Sequence, residues 1–147
     1  MELPNGVTGF YEGNDEPPKM DSKQLKTLCF NYVKTNSGKI LEVWEPREGT
    51  NFFNIEVNIQ DRLFHILLNE HYPLLAFASD VTFAQINFID EPLLSELFSS
   101  SYNVLKAEDL NNPLFVDQIN NLNKAEVAQI KYWKPQRIGD VIFNFWD

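Results

Sequence analysis

The sequence predicts an α+β domain: one antiparallel sheet of about five or six strands, with helices packed on one face. Three observations carry this expectation. A single amphipathic helical stretch near residues 22–36 is followed by segments with the two-residue period of strands, the connections between those segments are short, and helical signals return only after residue 90. At 147 residues the chain has the size of one domain around one core. It is 44% hydrophobic and 14% aromatic, with 12 Phe, far too apolar a composition for a disordered protein.

Residues 1–20, ending NDEPPKM, mix Gly, Pro and acids without period and read as an extended N-terminal arm entering the fold; Pro17-Pro18 precludes helix there. Asp21 stands three residues before Gln24, the spacing of a capping box. Leu25, Leu28, Cys29, Tyr32 and Val33 then mark one helical face, and Gly38 supplies the stop. The period changes at KILEVWEP, a strand that turns through PREGTN into NFFNIEVNIQ. There Phe53, Ile55, Val57 and Ile59 alternate with Asn54, Glu56 and Asn58, which predicts a strand with one wet face. Gln60-Asp61-Arg62 turns the chain into LFHILLNE, apolar enough for burial on both faces. After HYP, the segments LLAFAS and VTFAQINFI are further strand candidates.

Asp90-Glu91-Pro92 has the acids and proline of a helix start, with Leu93, Leu94, Leu97 and Phe98 as its apolar face. YNVLKAEDL is ambiguous between strand and loop. Asn112-Pro113 predicts another helix, facing inward with Phe115, Ile119 and Leu122. Asn123 and Glu126 have capping-box spacing ahead of VAQIKYW. The ending DVIFNFWD mixes aromatic and branched residues and predicts a last strand, with Val141, Phe143 and Phe145 on one face. Residues so costly to leave in water must be buried or bound.

Chemistry-bearing residues are sparse. Two His and one Cys cannot supply the converging ligands of a metal centre, so no metal and no cofactor is expected. Cys29 falls among helical apolar positions and reads as a buried small hydrophobe. His65, in RLFHILL, reads as a sheet-face histidine. His71 stands beside Glu70 and Tyr72 at a strand end, where sites collect, and is the stronger catalytic candidate of the two. No Walker loop, GxGxxG or GxSxG occurs, so covalent hydrolase and nucleotide-binding readings lack support.

Charge is more informative. The net charge is −9, and residues 80–120 hold Asp80, Asp90, Glu91, Glu96, Glu108, Asp109 and Asp117 against Lys106 alone. Such a surface repels phosphate backbones and steers a basic protein partner toward it. No apolar run has the length of a membrane span and the N-terminus lacks a signal peptide pattern, so the expected compartment is the cytoplasm.

The segment IKYWKPQRIGDVIFNFWD, with its Trp-Lys-Pro, Gly-Asp and FNFWD ending, resembles the C-terminal segment of small acidic immunity proteins encoded beside polymorphic or contact-dependent toxins in Firmicute bacteria. That resemblance implies a non-enzymatic function: one-to-one binding of a cognate toxin domain. Asp80, Asp90, Glu91, Glu96, Glu108 and Asp109 are then the expected partner-binding residues. Two alternatives stand beside it. One is a small enzyme or ligand-binding domain around His71, Glu70 and Tyr72; the other is a homo-oligomeric structural protein joined through an edge strand or the aromatic tail.

Overall fold

The computed structural model describes residues 1–83 and 85–147; Ala84, within the predicted VTFAQINFI strand, lies outside the described residues. Five strands form an antiparallel meander in chain order: β1 (Lys39–Trp44), β2 (Phe52–Ile59), β3 (Arg62–Asn69), β4 (Leu74–Val81) and β5 (Ile86–Ile89). A sixth, β6 (Asn103–Val104), adds a short parallel pairing to the start of β4. Helix α1 (Lys23–Thr35) precedes the sheet, and α2 (Pro92–Phe98) links β5 to β6. Then come α3 (Ala107–Leu110), α4 (Lys124–Trp133) and α5 (Ile138–Ile142). The chain is a single α+β domain, as its periodicities predict.

The β2–β3 hairpin shows why the register holds. Ile59 pairs with Arg62, and the two loop residues between them, Gln60 and Asp61, both have left-handed backbones at φ 54° and 63°. Two such residues make the primed turn whose twist matches that of antiparallel strands. With that register, Phe53, Ile55, Val57 and Ile59 share a face with Phe64, Ile66 and Leu68, and β4 adds Leu75 and Phe77. Leu25, Cys29 and Val33 of α1 and Leu94 and Phe98 of α2 close over them.

Helices were expected on one face; they occupy both. Strands β3 and β4 are apolar on both sides, and Leu67, Leu74, Ala76 and Ala78 on the second side need cover as much as their neighbours do. It comes from α3, α5, part of α4, the N-terminal residues Leu3 and Val7, and the C-terminal Phe143 and Trp146. The sheet is the middle of three layers.

Local expectations meet three further corrections. The capping box at α1 does not form: Asp21 accepts from the Lys23 amide at 2.9 Å, but the Gln24 side chain donates to Ser101 Oγ at 3.0 Å instead. The helix predicted after Asn112-Pro113 is only a 3₁₀ turn, Val116–Gln118, and Phe115 is exposed. Pro113 is held in a β-bridge with Arg137, and the Asn112 carbonyl accepts from Ile138 N at 3.0 Å, so this segment is pinned extended. The predicted last strand is instead the short α5 followed by irregular chain. Gly139 brings that helix so close to β5 that a Cβ there would lie 2.4 Å from the Phe88 ring.

Candidate functional site

The arm and the tail bring irregular backbone into a buried layer, where every N–H and C=O must find a partner. Four side chains supply them. Glu126 forms the predicted capping box, its N accepted by Asn123 Oδ1 at 3.0 Å, and its fully buried carboxylate also reaches the arm. Oε1 accepts from Gly6 N at 2.7 Å; Oε2 accepts from Thr8 N at 2.9 Å and Thr8 Oγ1 at 2.5 Å. Asn51 and Asn69 each donate to both the Val7 and the Ile142 carbonyls at 2.8–3.0 Å, tying arm to tail across the strand ends. Asn144 donates to the Thr8 and Val141 carbonyls, and its own N–H is accepted by Asn51 Oδ1 at 2.8 Å. Only the Asn123–Glu126 spacing announces any of this in sequence, since a lone buried Asn leaves no period.

The turn after β3 belongs to the same clamp. Asn69 Oδ1 accepts from the His71 and Tyr72 amides at 2.8 and 3.0 Å. His71 is 5% exposed, and its Nδ1 donates to the Pro18 carbonyl at 2.7 Å. Its Nε2 lies 3.3 Å from Glu70 Oε1 without a well-directed hydrogen bond. The Tyr72 hydroxyl donates to the Asn5 carbonyl. The Glu70 carbonyl accepts from Met20 N at 2.8 Å, so Glu70, His71 and Tyr72 all hold the arm, and the imidazole is buried beside it.

The six acids fare unequally. Asp90 Oδ1 accepts from Ala107 N at 2.9 Å, and so caps the start of α3 from a distance. Glu91 is gripped by both Arg62 guanidinium nitrogens at 3.1 and 2.5 Å, and its side chain is 13% exposed. These two are occupied within the chain. Glu108 and Asp109 lie exposed in the first turn of α3, which the Asp90 contact brings beside the entrance to α2. Glu96 is exposed on α2, and Asp80 is exposed on β4 opposite Asn87. On α2 the spacing places Leu93, Glu96 and Leu97 on one outward face, with Leu93 76% and Leu97 38% exposed. The two leucines, expected on the inward apolar face of α2, are thus turned outward.

His65 faces away from α1. Its Nδ1 meets Asn54 Oδ1 at 2.8 Å, its Nε2 lies 3.6 Å from Glu56 Oε2, and its ring stacks on Trp44. Burial lowers its pKa, while Glu56 and Asp80 pull it back up. Cys29 is buried on the inner face of α1, and burial pushes its thiol up to about 12, where it is no nucleophile. Among the described residues no group of His, Cys, Asp and Glu is placed to hold a metal ion, and no helix is long and apolar enough to cross a membrane. The geometry defines a three-layer α+β domain with an acidic corner built by β5, α2 and α3. No protein-family model, curated protein or solved structure matches the chain.

Proposed function

We propose that the protein is a non-enzymatic binding domain of the immunity type, docking its acidic corner onto a basic partner such as a cognate toxin domain. The observation that carries this reading is the outward face of α2: exposed Leu93 and Leu97 flank Glu96, with the exposed carboxylates of Glu108 and Asp109 at the neighbouring helix start. Apolar anchors ringed by charge are what a specific interface uses, the anchors supplying affinity and the charges steering encounter. Asp90 and Glu91 contribute by holding the corner in shape, and Asp80 adds to the field at a distance. The cytoplasm is the compartment in which such a protein would meet its partner.

The test is to co-express the chain with the product of its adjacent gene and measure complex formation by calorimetry at several salt concentrations. The variant Glu96→Gln/Glu108→Gln/Asp109→Asn is expected to weaken binding and flatten its salt dependence. Leu93→Asp is expected to weaken it by at least about tenfold, as loss of one interface anchor does. Unchanged affinity and salt dependence in both variants, or recovery of nothing but further copies of this chain, would overturn the proposal.

A further inference from the structure

The layer closed by the arm and the tail leaves part of the sheet open. Beyond the reach of α5, between β1 and the β4–β5 turn, lies a groove of about 170 Å³. Strand order makes β2 and β3 its floor, where Asn54 and His65 present their side chains, while Trp44 on β1 stands at one side and Phe83 and Phe145 at the other. The aromatic sides are internally braced: Trp44 stacks on His65 at 26°, and Phe145 meets Phe83 at 5.8 Å and Phe52 edge-on at 5.4 Å. This groove lies apart from the acidic corner.

Two features distinguish it from a shallow apolar dimple. Asn54 and His65 are each only 8% exposed, yet their polar groups are incompletely paired. With Asn54 Oδ1 accepting from His65 Nδ1, the Asn54 amide nitrogen makes no hydrogen bond among the described residues, and His65 Nε2 has only the Glu56 carboxylate, at 3.6 Å. Arg47 lines the rim and has no ion pair among the described residues, in a chain of net charge −9, whereas its neighbour Glu45 is already engaged by Lys26 at 3.0 Å. Arg47, solvated on the rim beside the aromatic walls, offers a guanidinium that an anion carried on a ring could meet. The volume suits one ring, since an apolar cavity of about 150 Å³ accommodates benzene.

We propose that this groove binds a small aromatic carboxylate. The ring sits between Trp44 and the Phe83–Phe145 edge, the carboxylate meets the Arg47 guanidinium, and a polar ring substituent meets the Asn54 amide and the His65 imidazole. The site is independent of the docking function and adds a ligand class to it.

The probe is 4-hydroxyphenylacetate, titrated into the full chain and followed by amide chemical shifts, with 4-hydroxyphenylacetamide and phenylacetate as controls. The expected result is saturable shifts at Trp44, Asn54, His65 and Phe145 in the millimolar range or tighter, with weaker binding of both controls. Arg47 is exposed, so Arg47→Met should leave the fold intact, weaken the acid by roughly tenfold and leave the neutral amide unaffected. The proposal is overturned by no saturable shift at millimolar probe, by equal binding of acid and amide, or by an Arg47→Met variant that binds the acid normally. It is equally overturned if the shifts centre on Trp133 and Lys134 of the adjoining groove.

Discussion

The two faces of the sheet are closed in different ways. Toward α1 and α2 the contacts are almost wholly apolar: Leu25, Cys29, Val33, Leu94 and Phe98 pack on Phe53, Ile55, Phe64, Ile66 and Phe77. The buried polar and charged side chains, Thr8, Asn51, Asn54, His65, Asn69, His71, Glu126 and Asn144, lie on the opposite face or in the segments bordering it. The difference follows from what does the covering. A helix satisfies its own backbone and brings only side chains to the interface, so shape is enough. An arm and a tail without regular structure bring unpaired N–H and C=O groups, and each must be met by a buried amide or carboxylate. The polar network is the physical consequence of closing a layer with chain ends.

The largest way to break this comparison is to remove one chain end. Deleting residues 142–147 takes away buried Ile142, Phe143 and Trp146 and also Asn144, and it strips Asn51 and Asn69 of the Ile142 carbonyl. Each large core truncation costs about 3–5 kcal/mol against a total stability of about 5–15 kcal/mol. The truncated chain is expected to lose its cooperative thermal transition by circular dichroism. An unchanged melting temperature would mean that the tail is an appendage and the polar network incidental.

Single substitutions sharpen the contrast. Phe77→Ala, on the apolar face, is expected to cost about 3–5 kcal/mol and to lower stability throughout, with the arm no easier to cut than the rest. Glu126→Gln keeps the size but replaces one carboxylate oxygen with an N–H₂, which then faces either the Gly6 donor or the Thr8 donors. It is expected to cost about 2–4 kcal/mol in denaturant melts, because hydrogen bonds to a charged acceptor are lost and buried donors are orphaned. Its particular signature is protease cleavage within residues 10–20 at protein concentrations and temperatures where the sheet remains folded. Equal cleavage of both variants at that site would show the arm to be held by packing alone.

The same contrast explains what could be read from sequence. Helix α1 and the β2–β3 hairpin are legible because their apolar residues recur at 3.6 and 2, and the fold class follows from them. On the other face the signals are ambiguous or absent. Val141, Phe143 and Phe145 alternate as a strand would, yet Gly139 packed on Phe88 and the Asn144 amide bonds favour a short helix and irregular tail. Phe115 has the spacing of a core residue, but the bridge of Pro113 to Arg137 leaves it exposed. The acidic candidates were visible as a group, but Asp90 and Glu91 are engaged by Ala107 and Arg62, partners that no local spacing reveals. The groove of Trp44, Asn54 and His65 assembles three strands, so nothing in any one segment announces it.

The smallest expected effect separates the faces by pH. Burial holds His65 below its ordinary value of 6.5, so between that value and its folded pKa the unfolded chain binds more protons than the folded one. Its contribution is therefore fully present above pH 6.5 and lost as the pH falls through the folded pKa. Glu56 and Asp80 favour the protonated ring and keep that loss shallow. Melts of the wild type and His65→Phe across this window are expected to differ in slope, the variant losing less stability on acidification. Glu56→Gln is expected to do the reverse, because removing a carboxylate that favours the imidazolium lowers the folded pKa further and steepens the acid loss. On the α1 face the buried titratable groups are Cys29 and Tyr102, both shifted upward by burial, so neither contributes slope below neutrality. Identical slopes in all three proteins would mean that His65 is as well hydrated in the folded chain as in the unfolded one, and the groove floor would then be wetter than its burial implies.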